Sequence, residues 1–169
     1  MDRLMLQSPI GRLCIEADGA GLTRLYLPGE ALPEAPSPLL EEAARQLTDY
    51  FACRRTCFSL PIHPMGTPFQ QGVWRQLRAI PYGKTLSYGH VARLLGRPGA
   101  ARAVGGACHA NPLLILIPCH RVVGSTGALT GFGAGLAVKK ALLELEGWPG
   151  SPGNCPTDPE GASMCSDPG

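Results

Sequence analysis

Residues 85–110 read TLSYGHVARLLGRPGAARAVGGACHA, and their spacing predicts two short helices separated by a turn that carries glycine and proline. Ser87 is placed to cap the first helix, with Val91, Leu94 and Leu95 turned inward and Gly96 closing it. The second helix runs from about Ala100 to Ala110. Two short helices joined in this way form a helix-turn-helix. Many helical proteins contain such a pair, so what the second helix carries matters more. Gly105 and Gly106 lie inside it, each costing about 1 kcal/mol relative to Ala. Ala101, Ala103 and Gly105 supply small residues that let its backbone approach a partner closely, and Arg102 is the one long side chain among them. Tight packing within the domain and contact with an external partner both fit.

Upstream, Thr67-Pro68-Phe69-Gln70 has the form of a capped helix start: Thr at the N-cap, Pro at the first position and Gln to close a capping box. Phe69, Val73, Trp74, Leu77 and Ile80 supply the buried stripe of that helix. Residues 1–66 read differently. The runs RLMLQ, RLCIE and LTRLYL, separated by the turn-like SPIG and DGAG, predict antiparallel strands. Leu40, Ala44, Leu47 and Phe51 recur at helical spacing from Pro38 to Phe51, so one helix covers that sheet. A fourth strand is expected at CFSLPI. The fold class is therefore α+β: a small N-terminal antiparallel sheet with a helix over residues 1–66, then a mainly helical unit with the helix-turn-helix over 67–148. Residues 149–169 are rich in Pro and Gly with almost no apolar content and are expected to be disordered.

Charge is divided unevenly along the chain. Residues 67–148 carry 9 Lys/Arg against 2 Asp/Glu, whereas residues 1–66 carry 6 against 8. The basic middle would be attracted to a polyanion, nucleic acid being the commonest, although arginines that only solvate helix faces would give the same count. No apolar run approaches the roughly 20 residues that cross a bilayer, and the first residues lack the pattern of an export signal. A soluble protein of the cytoplasm, or of the nucleus in a eukaryote, is the expectation. Seven cysteines without paired spacing point to free thiols rather than a disulfide framework.

Among those cysteines, Cys119 stands out. It ends the apolar run of ILIPCHRVV (residues 115–123), where Pro118 directs the chain and polar residues begin. Buried filler and nucleophile are both open readings, since Cys is often buried. A free thiol with the ordinary pKa of about 8.5 is mostly protonated at neutral pH and needs a base. His120 is the candidate, reaching the sulfur through a water because sequence neighbours point different ways. A carboxylate would orient the imidazole, and Glu144 and Glu146 are the acidic residues available in the basic unit. Zinc fits less well: Cys119-His120 lacks ligand spacing, and Cys53-x-x-x-Cys57 with His63 lacks a fourth ligand. Cys14, Cys53, Cys57 and Cys108 read as filler, and His90 and His109 as surface positions.

NPLLILIPCHRVV, the following GALTGFGAGLAVKKALLELEG, and GKTLSYGHVARLLGRPGAARAVGGA together resemble the O6-alkylguanine-DNA alkyltransferases, also called methylated-DNA–protein-cysteine methyltransferases. The resemblance covers about residues 66–148 closely. The N-terminal unit, with SPIG, resembles the family's ribonuclease-H-like domain more loosely. The resemblance implies direct-reversal repair without a cofactor: Cys119 takes the alkyl group from O6 of guanine, and from O4 of thymine, in double-stranded DNA, once and irreversibly; no metal ligands are matched, and no metal is expected. His120 then acts through water, Glu146 orients it, and Asn111 braces the turn before the cysteine. Tyr88 helps rotate the nucleotide out and contacts the guanine, while Arg102 fills the gap left in the duplex. The helix bearing Ala101, Ala103 and Gly105 would lie in the minor groove, the protein acting as a monomer. The carbonyls of Cys119 and Val122, the backbone N–H of Gly133, Phe132 and Lys139 would line the guanine pocket. Phe132 departs from the family pattern, in which many members carry tyrosine, and a phenyl ring cannot donate a hydrogen bond.

Overall fold

The structure, a computed structural model, describes residues 1–129 and 135–147. Phe132, Gly133 and the tail 149–169 lie outside the described residues. The chain opens with three antiparallel strands in sequential order: β1 (Asp2–Ser8), β2 (Gly11–Ala17) and β3 (Leu22–Tyr26). Alternation along β2 sends Leu13, Ile15 and Ala17 into the core, and puts Cys14 and Glu16 on the opposite face. There the Glu16 carboxylate is buried beneath Arg3 (3.2 Å) and accepts from the Tyr26 hydroxyl (2.8 Å), so a charge in the sheet is paired rather than stranded. The turn from β2 to β3 needs glycine at Gly21: φ is +157°, and a Cβ there would come within 2.8 Å of the Pro61 carbonyl oxygen.

Helix α1 (Pro38–Phe51) has the predicted bounds, with Ser37 as N-cap and Pro38 in the first turn. Its fully buried apolar stripe is Leu40, Ala43, Leu47 and Tyr50, so the helix is rotated slightly from the expected face, leaving Ala44 and Phe51 partly exposed. The expected fourth strand does not form. Residues 60–63 touch β3 only at Leu22, which donates to the Pro61 carbonyl (2.9 Å) and accepts from His63 N (2.7 Å). Pro61 has no N–H and Pro64 follows closely, so the ladder cannot extend.

Farther along the same edge, Leu25 N donates to the Pro112 carbonyl (2.8 Å), and Leu114 N donates to the Leu25 carbonyl (3.0 Å). The free edge of the sheet is thereby covered by the segment that leads to Cys119. This backbone contact fixes the height of that segment against the sheet.

The basic unit begins with α2 (Pro68–Arg78), whose capping box between Thr67 and Gln70 is complete. A two-residue strand β4 (Leu86–Ser87) leads into α3 (Tyr88–Leu94), capped by Ser87 accepting from His90 N (3.0 Å). Gly96, at φ +73°, reverses the chain after α3, and α4 (Ala101–His109) packs back on it. Val91, Ala92, Val104 and Ala107 are the buried contacts. Leu94, expected inward, is 50 % exposed. Val91, Ala92 and Leu95 share an arc of the helix, and Leu94 lies roughly 100° from its centre at 3.6 residues per turn. Trp74 crosses from α2 to α4 and donates its indole N–H to the Ala107 carbonyl (2.9 Å). A single 3-10 turn, Cys119–Arg121, passes into β5 (Val122–Val123), which runs parallel to β4, and α5 (Leu136–Leu145) completes the described chain.

Replacing Trp74 by Phe keeps an aromatic ring but strands the Ala107 carbonyl and thins the α2–α4 contact. The expected loss is about 2 kcal/mol of unfolding free energy, read as a lower urea midpoint. An unchanged midpoint would mean that this bridge does not hold the helix pair.

Candidate active site

The loop between α4 and the 3-10 turn is tied by one side chain. Leu113 N donates to Asn111 Oδ1 (2.9 Å), which fixes the orientation of the amide because an N–H can pair only with its oxygen. Asn111 Nδ2 then donates both to the Ile117 carbonyl (2.8 Å) and to Cys119 Sγ (3.0 Å). Inside the loop Ile115 sits at φ +72°, a costly conformation for a β-branched residue. It is held from both sides: Ile117 N bonds the Leu113 carbonyl (3.0 Å), and Leu114 is anchored to β3.

Cys119 itself is 3 % exposed. Burial pushes its thiol up to about 11, opposed by the Asn111 hydrogen bond and by the positive charge of Lys139. At neutral pH the protonated thiol is the dominant form. The sulfur is therefore a poised acid rather than a standing anion, and a base must take its proton at the moment of reaction.

His120 lies wholly buried, its Nε2 2.7 Å from Glu146 Oε2. The Glu146 carboxyl is held well below the usual carboxylate range. Its own burial opposes this, and the pairing with His120 and Arg121 outweighs it. An ionised carboxylate accepts only, so Nε2 carries the hydrogen and Nδ1 keeps the lone pair. Nδ1 is buried with no hydrogen-bond partner among the described residues. Burial pulls the imidazole below its usual value, with Glu146 pushing the other way, so His120 is neutral at pH 7 with a basic nitrogen to spare.

Glu146 collects further donors. Arg121 reaches Oε1 through Nε (2.8 Å) and Oε2 through Nη2 (3.1 Å), and spends Nη1 on the Ile80 carbonyl (2.7 Å). Gly83 N donates to Oε1 (3.2 Å), and the Tyr50 hydroxyl donates to Oε2 (2.6 Å). Sequence reasoning gave none of these three a role. Arg121, adjacent to the Cys-His pair, could have been suspected as the counter-charge of a buried acid. Tyr50, far away in sequence, carried no local signal. Glu144, the alternative orienter, is exposed and pairs with Lys140.

Lys139 is fully buried, and its Nζ donates to the Tyr88 hydroxyl (3.3 Å) while lying 5.6 Å from that ring's centre. Burial lowers its pKa and the nearby Cys119 and Cys108 thiols raise it. Val122 is buried in β5. On α4, the small residues do not share one face. Ala101 and Gly105 turn toward the domain, a Cβ on Gly105 meeting the Tyr88 ring at 3.9 Å, whereas Arg102, Ala103, Gly106 and His109 form the exposed side. The helical repeat places residues two apart on opposite sides, so Ala103 does not share the face of Ala101 and Gly105. His90 is exposed as well.

Cys53 and Cys57, expected as free filler thiols, are both disulfide-bonded in the turn beyond α1, and His63 pairs with Asp18 (2.8 Å). No group of three or more His, Cys, Asp or Glu that could hold a metal occurs among the described residues. No described helix is long and apolar enough to cross a membrane.

The buried His120–Glu146 pair gives stability a defined pH dependence. Both groups bind protons less readily folded than unfolded. As pH falls below about 6.5 the unfolded chain takes up protons at His120 that the fold refuses, and below about 4.5 it does so at Glu146. Stability is therefore full above these values and declines on acidification. Urea unfolding at pH 8, 6 and 5 should show falling midpoints, with His120→Phe flattening the step between 6.5 and 5. A flat wild-type profile would mean that His120 and Glu146 bind protons as readily folded as unfolded.

The 6-O-methylguanine DNA methyltransferase DNA-binding domain matches residues 68–148, and the ribonuclease-like domain of the same enzymes matches residues 3–64. A methylated-DNA–protein-cysteine methyltransferase of Mycobacterium leprae is 48 % identical over 149 residues, covering 83 % of this chain and 89 % of its own. One from Methanosarcina acetivorans is 43 % identical over 150 residues, covering 85 % and 96 %. The crystal structure of Mycobacterium tuberculosis O6-methylguanine methyltransferase superposes with a TM-score of 0.78 at 45 % identity, over 86 % of this chain and 92 % of that one. The same bacterium's protein has also been solved in complex with DNA, with a TM-score of 0.79. With both halves matched and identities of 43–48 % over most of its length, the chain belongs to the methylated-DNA–protein-cysteine methyltransferase family.

Proposed function

We propose that this family member repairs O6-alkylguanine in double-stranded DNA by moving the alkyl group irreversibly onto Cys119, and that O4-alkylthymine is a second substrate. The observation that carries the assignment is the convergence of Asn111 Nδ2 on Cys119 Sγ at 3.0 Å, beside a neutral His120 oriented by Glu146 at 2.7 Å.

His120 Nδ1 takes the thiol proton through one water. The sulfur attacks the alkyl carbon in line, the new S–C bond replaces the O6–C bond, and the departing guanine leaves with both electrons of the broken bond. The guanine anion takes up one proton from solvent, and His120 later returns to solvent the proton it took from sulfur, so charge and protons balance. Asn111 and the Lys139 charge stabilise the sulfur as it becomes anionic, and Glu146 stabilises the imidazolium. A thioether has no exit at neutral pH, so each molecule acts once.

The reacting carbon is inaccessible inside a stacked duplex, so the nucleotide is extruded at a cost of a few kcal/mol. Arg102 occupies the gap from the exposed side of α4, and Tyr88, held by Lys139, contacts the guanine together with the carbonyls of Cys119 and Val122. The exposed side of α4, flat at Ala103 and Gly106, suits the minor groove, and the basic unit draws the phosphates. The protein acts as a monomer, in the cytoplasm or in a eukaryotic nucleus, and residues 1–66 and 67–148 form its two domains.

Intact-mass measurement after incubation with O6-methylguanine duplex should show one added methyl, located on Cys119 and missing in Cys119→Ser. Several turnovers per molecule, or label on the buried Cys108, would overturn the assignment. Arg102→Ala should slow duplex repair at least tenfold, about 1.4 kcal/mol in barrier, while leaving reaction with free O6-benzylguanine nearly intact. Equal losses on the two substrates would remove Arg102 from extrusion.

A further inference from the structure

The hydroxyl of Tyr50 lies in the N-terminal helix α1, yet it donates a 2.6 Å hydrogen bond to Glu146 Oε2, the same oxygen that receives His120 Nε2. Tyr50 is 0 % exposed, and its ring is enclosed by Phe51 (centroids 5.3 Å), Phe58 (5.5 Å) and Tyr82 (6.2 Å). The hydroxyl thus has a fixed position. It could have been satisfied by any carbonyl, but it is spent on the carboxylate that orients the base.

We infer that Tyr50 is a positioning residue for the alkyl transfer: through its hydrogen bond to Glu146 Oε2 the N-terminal domain sets both the direction and the basicity of His120. This deepens the proposed function and rests on the reading of His120 as the base.

The physical argument starts from the two oxygens of Glu146. Oε1 is engaged by Arg121 Nε and Gly83 N, and Oε2 by His120, Tyr50 and Arg121 Nη2. Without Tyr50, Oε2 loses one of its two neutral side-chain donors and keeps only His120 beside the Arg121 guanidinium, and two consequences follow. The carboxylate is free to swing toward Arg121, which loosens the angle at which Nε2–H is held. Its remaining negative charge is also concentrated on His120, which favours the imidazolium. Tyr50 therefore withdraws charge from the carboxylate and keeps the imidazole neutral at working pH. The other charged or titratable groups facing the pair are Arg121, Lys139 and Tyr82. The first two disfavour the imidazolium, and the Tyr82 hydroxyl is turned to the Leu145 carbonyl (3.4 Å).

The sign is definite. The base must be unprotonated, so the reaction rate falls on the acid side as His120 gains its proton. Removing the hydroxyl raises the affinity of His120 for that proton, and the acid limb moves to higher pH.

The test uses Tyr50→Phe in the full chain, with Phe58→Leu as a variant that disturbs the same ring cluster without touching the hydrogen bond. Second-order rates with free O6-benzylguanine are measured across pH, and the His120 titration is followed by NMR. Tyr50→Phe is expected to lower the rate at neutral pH about tenfold, the order that outer hydrogen-bond partners of a functional group carry. Its acid limb and the His120 titration should both rise by roughly one pH unit, with duplex affinity unchanged. Phe58→Leu should lose stability without moving either midpoint. A Tyr50→Phe profile that only scales in amplitude, or a shift that Phe58→Leu reproduces, would overturn the inference and leave Tyr50 a packing residue. A wild-type profile with no acid limb matching the His120 titration would overturn instead the reading of His120 as base.

Discussion

The buried carboxylate of Glu146 is the constraint around which the molecule is assembled. An ionised group at 2 % exposure is tolerable only when its charge is compensated and its lone pairs are filled. Arg121 supplies the opposite charge at 2.8 Å, and Tyr50, Gly83 and His120 supply the rest. These donors come from α1, from the turn after α2 and from the 3-10 turn, while Glu146 itself caps the end of α5. One side chain therefore ties four separate parts of the chain to one point. Removing it would leave a guanidinium unpaired in the core, which is costlier than losing any single apolar contact.

A second tie holds the sulfur from the other direction. The 112–114 segment pairs with the edge of β3, Ile115 turns left-handed, and Asn111 closes the loop onto Cys119. Strain at a β-branched residue persists only where surrounding bonds leave no alternative. Here those bonds come partly from the N-terminal sheet. The N-terminal half therefore reaches the site twice, through the Leu25 backbone to the cysteine loop and through Tyr50 to the carboxylate. Its placement over the basic unit is a condition for the geometry of Cys119 and His120.

Legibility in the sequence followed the range of each interaction. Local signals were read well: the Thr67 capping box, the Ser87 cap, the bounds of α1 and the three strands all rest on residues within four positions of one another. The Cys119, His120 and Glu146 grouping was reached through chemistry and resemblance together, and the structure brings the last two into contact. What failed was of two kinds. Pattern was misjudged where helical phase mattered, as at Leu94, Ala103 and the α1 stripe, because spacing alone does not tell which side a core lies on. Long-range partners were invisible, since nothing near Tyr50 announces a carboxylate 96 residues away, whereas the proline within CFSLPI was itself the local signal against a full fourth strand.

Burial of the nucleophile trades readiness to react for protection of the thiol. The leaving group is a guanine oxygen, far poorer than a halide, so the sulfur must be intrinsically strong. Nucleophilicity grows with basicity, with a Brønsted slope of roughly 0.4–0.5 in thiol chemistry. A thiol pushed up to about 11 yields, once deprotonated, a stronger nucleophile than one depressed toward neutrality. The cost is a scarce thiolate: each unit of added basicity cuts the thiolate about tenfold and strengthens it only about threefold, so the buried sulfur depends on His120 to take its proton as attack proceeds. The same scarcity guards a protein that reacts only once. An electrophile that reaches the pocket without aligning against sulfur and base meets a protonated thiol, hydrogen-bonded and 3 % exposed. Selectivity then resides in the simultaneous placement of substrate carbon, sulfur and imidazole, and so in the rigidity that Asn111 and Glu146 impose.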